Sequence, residues 1–98
     1  MYLLVTEQAE ITLEDSDNLR AFSIKETQPE CAAKFLGDIA QATQDNHFWL
    51  DAEAVIALSG RQEEPEWVQQ FWGMLESVEA YGYSDMVRKR VKAHVESA

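Results

Sequence analysis

The stretch Tyr2–Lys25, YLLVTEQAEITLEDSDNLRAFSIK, sets the reading of the fold. Tyr2 to Thr6 are rich in apolar and β-branched residues and read as a strand. Ala9, Ile11 and Leu13 then alternate with Glu10, Thr12 and Glu14, the period-two pattern of a strand buried on one face. Asp15-Ser16-Asp17-Asn18 is a polar turn, and beyond it Phe22 and Ile24 alternate with Ser23 and Lys25. The spacing predicts a β-hairpin closing on residues 15–18.

Working outward, Thr27 and Glu30 match a capping box, with Pro29 in the first turn where a missing N–H costs nothing. Ala32, Phe35, Leu36, Ile39, Ala40 and Thr43 follow at helical spacing, which predicts an amphipathic helix to about residue 44. His47–Leu50 reads as a short third strand. Asp51 is placed to cap a short helix carrying Ala52, Val55 and Ile56 on one face, closed by Gly60; a strand over Ala54–Leu58 is the alternative. Arg61–Glu64 is a polar loop. Pro65 opens the clearest helix, striped by Trp67, Val68, Phe71, Trp72, Leu75 and Val78 and ended at Gly82. Ser84 then caps a last helix bearing Val87, Val91 and Val95 at i, i+4 spacing. The expected fold is α+β: a small antiparallel sheet, the hairpin plus the third strand, packed against three to four helices.

At 98 residues without repeats or linkers, the chain is expected to form one compact domain, 1–98. Eight basic and eighteen acidic side chains give a net charge of −10, which disfavours binding to nucleic acid or to anionic membrane. The charge is uneven. Residues 1–87 hold four bases and seventeen acids, whereas residues 88–98 hold Arg88, Lys89, Arg90 and Lys92 against Glu96 alone. On a terminal helix those bases would complement the helix dipole; the sharper reading is a patch for an acidic partner or a second subunit. One cysteine, no long apolar run and no basic residue before Arg20 point to a soluble, cytoplasmic protein without disulfides.

Motifs for chemistry are weak. Asp15, Asp17 and Glu26 occupy positions 1, 3 and 12 of a calcium-loop window, but Leu19 and Arg20 stand where an oxygen ligand and the turn glycine belong. His47 and His94 lie in different elements without metal-ligand spacing. Cys31 falls in the first turn of a predicted helix with Glu26 and Glu30 nearby and no histidine base, so it reads as a small buried residue. No nucleophile elbow, Walker loop or dinucleotide-binding glycine pattern occurs, and no carboxylate pair frames a cleft. No catalytic residue, metal or cofactor is assigned on these grounds.

The aromatic residues are the most informative. Phe48, Trp49, Trp67, Phe71, Trp72, Tyr81 and Tyr83 place seven of the ten between residues 48 and 83. They either fill the core or leave one tryptophan, Trp67 or Trp72 by its helical position, to anchor a partner. The expectation is therefore a small acidic interaction or regulatory module binding another protein, or itself as a homodimer. Its candidate contact residues are Trp49, Trp67, Phe71, Trp72, Arg88, Lys89, Arg90 and Lys92. The alternative is a small-molecule binder or small enzyme with an aromatic-lined pocket. A nucleic-acid mimic is disfavoured because no acidic ladder runs along one face.

Overall fold

The hairpin expected to close on residues 15–18 does not form; the chain makes its hairpin one turn earlier. In a computed structural model describing residues 1–98, β1 (Tyr2–Val5) pairs antiparallel with β2 (Ile11–Glu14), setting Leu3 opposite Leu13 and Val5 opposite Ile11. The turn between them is closed by the Thr6 N–H on the Glu10 carbonyl at 3.0 Å, with Ala9 at φ 64°. β3 (Ser23–Glu26) then lies on the other side of β1 and parallel to it. Residues 15–18 are thus a crossing between β2 and β3. Their loop wraps the Met1 amine, which donates to the Asn18 and Ala21 carbonyls at 2.8 Å each. Period-two alternation in β2 and β3 states which face is buried and leaves the neighbouring strand open.

The predicted helix to residue 44 shrinks to α1 (Cys31–Phe35). Gly37, at φ 59°, turns the chain into a 3₁₀ turn (Gly37–Ile39) and then β4 (Ala40–Ala42). The capping box does not form. Glu26 caps α1 instead, accepting from the backbone N–H groups of Glu30 (3.3 Å) and Ala32 (3.1 Å), while Thr27 Oγ1 accepts from the Glu7 N–H at 3.1 Å. Downstream, β5 (His47–Asp51), α2 (Ala52–Ser59) and α3 (Pro65–Glu79) follow the sequence pattern, with Gly60 at φ 72° stopping α2.

The last helix is replaced by a hairpin, β6 (Ser84–Asp85) and β7 (Arg90–Ser97). Valines four apart satisfy a helix stripe and a strand face equally, since four is also a multiple of two. Ala93 completes the alternation Val91, Ala93, Val95 against Lys92, His94 and Glu96, and the β-branched valines suit the pleat. Val87, expected on the helix face, lies 92 % exposed in the hairpin turn.

β7 is the centre of the fold. It runs parallel to β3 along one edge, with β6 beside its first residues there, and antiparallel to β5 along the other. The result is a seven-stranded mixed sheet in the order β2-β1-β3-β7-β5-β4, with β6 off that path. Only α2 and α3 are helices of appreciable length. The expected small antiparallel sheet on three to four helices is therefore corrected: two long-range parallel pairings and a strand in place of the terminal helix enlarge the sheet. One buried cluster joins the sheet face of Leu3, Val5, Ile24, Leu50 and Val91 to Val55 of α2 and Phe71 and Leu75 of α3. The alternate residues of the same strands stand on the opposite face.

Candidate functional site

Because the helices cover one face, the other is left without a helical layer. Register places Tyr2, Ser23, Lys25, His47, Trp49, Lys92 and His94 on it. Trp49 is its largest side chain. The Arg90 guanidinium lies 4.3 Å from the Trp49 ring centroid and the Lys92 ammonium 5.6 Å from it, while Lys25 stands 4.2 Å over the Tyr2 ring. Cations over aromatic faces hold these long side chains down and keep both groups partly exposed. The sheet face carries Lys25, Arg90 and Lys92 against Glu14, Asp51, Asp85 and Glu96, so its formal charge is only −1. The helical segment 52–79 carries six carboxylates against Arg61 alone.

The basic run of the sequence proves largely compensated. Asp85 pairs with Arg88 (3.3 Å) and Arg90 (3.4 Å), and Glu53 with Lys89 (3.6 Å). The Asp85 carboxyl is held below the usual carboxylate range, chiefly by the Arg88 backbone N–H that it accepts and further by the charges of Arg88 and Arg90. The run occupies a turn and a strand, so no helix dipole is involved. Among the eight Lys and Arg, Arg20, Lys25, Lys34 and Lys92 have no carboxylate within ion-pair distance.

The candidate contact residues separate accordingly. Trp49, Arg90 and Lys92 converge on the open face, with Arg88 beside them around a shallow hollow that also includes Ile39 and Asp51. Lys89 sits in the hairpin turn. Trp67 and Phe71 are buried in the core, their rings stacked at 5.5 Å, and the Trp67 indole N–H donates to the Ser16 carbonyl at 2.8 Å. Trp72 packs edge-on against Phe71 at the core margin. Trp49 of β5 and Trp72 of α3 are both half-buried, and Trp49 is the one that lies on the face without helices.

Sequence reasoning missed a groove of about 620 Å³ where β6 gives way to β3 along the edge of β7. Leu19 and Phe22 of the crossing loop form one wall, Met74 and Val78 of α3 another, and Tyr83 and Val91 of the last hairpin a third. Tyr81 and Tyr83, 77 % and 50 % exposed, stand at its rim. No carboxylate lines it, and its basic residues are Arg20, Lys92 and His94. Lys92 and His94 also belong to the open face, so groove and face adjoin. The lining comes from three separate stretches of the chain, and although Lys92, Val78 and the two tyrosines each carried a sequence signal, nothing in the sequence brought them together.

The remaining candidates are placed plainly. Cys31 is buried at the start of α1. His47 and His94 come together across β5 and β7, ring centroids 6.0 Å apart, with Glu96 accepting from His94. No three His, Cys, Asp or Glu gather in a ligating group, and no helix is long and apolar enough to cross a membrane. Compared with known proteins, the chain matches no family model, no curated protein and no solved structure.

Proposed function

We propose that this chain is a binding module for another protein, which docks on the open sheet face around Trp49. The observation that carries this reading is Trp49 itself, with Arg90 and Lys92 against its ring, on a face of formal charge −1 in a molecule of net charge −10. Aromatic and Arg side chains are the residues enriched where proteins meet, and tryptophan is enriched among those that dominate the binding energy. The acidic body around the face favours a partner of net positive charge by drawing it in, so association weakens as salt rises.

The test is affinity capture from source-cell lysate at about 50 mM and about 500 mM salt, a range that screens exposed charges. Wild-type protein is compared with Trp49→Ala. The expected result is one stoichiometric protein retained by wild type at low salt, reduced at high salt and lost with Trp49→Ala. Equal retention by both proteins, or no protein retained at either salt, refutes the reading. Sedimentation of the purified chain identifies the case in which the partner is a second copy.

A further inference from the structure

Beyond the docking face, we infer that the groove between the 19–22 loop, α3 and β7 binds a small amphipathic monocarboxylate with an aromatic or medium-chain alkyl body. Its volume of about 620 Å³ falls within the range of small-molecule sites, and eight of its twelve lining residues are hydrophobic. With eighteen acids in ninety-eight residues, about two would be expected among twelve lining positions. There are none. Arg20 at the mouth is exposed and without a carboxylate partner, and Lys92, at the same groove, is unpaired as well.

These features divide the work between the two ends of such a ligand. Phe22, Met74, Val78 and Tyr83 offer apolar and aromatic surface for the body. The Arg20 guanidinium presents a planar fork that donates two parallel hydrogen bonds to a carboxylate. A single negative charge suits the site better than an acidic polymer does. It meets the local cations while adding little repulsion from the acidic helical layer, most of which is screened beyond a Debye length of about 8 Å.

The experiment is a ¹H–¹⁵N NMR titration of the full chain with 4-phenylbutyrate, and in parallel with its neutral analogue 4-phenylbutyramide. Saturable shifts are expected at residues 19–22, 74–83 and 91–94, with a dissociation constant of roughly 1 mM or below for a ligand of this size. The amide should bind at least about fivefold more weakly, having lost the charge-assisted bonds. Arg20→Glu should weaken phenylbutyrate about tenfold, whereas Lys34→Glu, the same charge change on α1, should leave it within about twofold. Both side chains are exposed, so both variants keep the fold, and their spectra report this directly. Absence of saturable shifts, shifts scattered away from the groove, equal affinity for the amide, or equal effects of the two charge reversals would each overturn the inference.

Discussion

Replacing Phe71 by Ala tests the assignment of the two aromatic environments most sharply. Phe71 has no accessible surface and lies between Trp67, stacked at 5.5 Å, and Trp72, edge-on at 5.9 Å. Deleting a buried phenylalanine ring costs about 3–5 kcal/mol, the lost transfer energy plus the cavity left between two large rings. Against a stability of about 5–15 kcal/mol for a chain of this size, that is a large fraction. In urea unfolding followed by far-UV circular dichroism, the midpoint should fall by about 2–3 M. Phe71→Leu, which keeps most of the volume, should cost only about 1–1.5 kcal/mol and supplies a measurable transition if the alanine variant is largely unfolded. Trp49→Ala is the contrast. It removes contacts with two cations on an open face, worth about 0.5–1 kcal/mol. A loss below about 1.5 kcal/mol for Phe71→Ala, or a loss for Trp49→Ala as large as that for Phe71→Ala, would refute the division into core and docking aromatics.

Three further outcomes follow from the geometry. Glu26→Ala should lower stability by about 1–2 kcal/mol in urea unfolding, because it leaves the Glu30 and Ala32 N–H groups at the start of α1 without their acceptor. Gly60→Ala should cost about 1 kcal/mol in the same assay: the new methyl meets no atom within 4 Å, so the loss isolates the strain of φ 72°. Asp85 contributes stability above the ordinary carboxylate range, and that contribution disappears as pH falls through its lowered pKa. Asp85→Asn should therefore be less stable than wild type near pH 7, with the gap narrowing in thermal unfolding as pH falls below the ordinary carboxylate range. A gap that widened toward acid would contradict the pairing with Arg88 and Arg90.

Legibility in the sequence tracked the range of the interaction involved. Pro65 at the start of α3, Gly60 at the end of α2, and the strand patterns of β1, β2, β3 and β5 depend on residues within a few positions, and each was readable. Thr27 and Glu30 looked like a capping pair in isolation. Glu26 reached the α1 N–H groups first, and Glu7 engaged Thr27 from across the turn. The candidate site divided in the same way. Trp49, Arg90 and Lys92 could be chosen from composition, but their meeting needs the pairing of β5 with β7. Arg20 read only as unfit for a calcium loop and Phe22 only as part of a strand pattern, until the chain crossing placed both in one groove with Tyr83.

The sequence by itself determined the acidic balance, the choice of α3 as a helix, and which face of β2 and β3 is buried, because charge count, end signals and alternation are local properties; for α2 it left a strand over Ala54–Leu58 open. Tertiary structure alone decided that Val91, Ala93 and Val95 form a strand, since that stretch supports either period and only the edges of β3 and β5 supply partners for its backbone. The same pairing put the helices on one side and left Trp49 uncovered on the other. Strand neighbours are chosen by contacts between distant segments, and no window along the chain contains them.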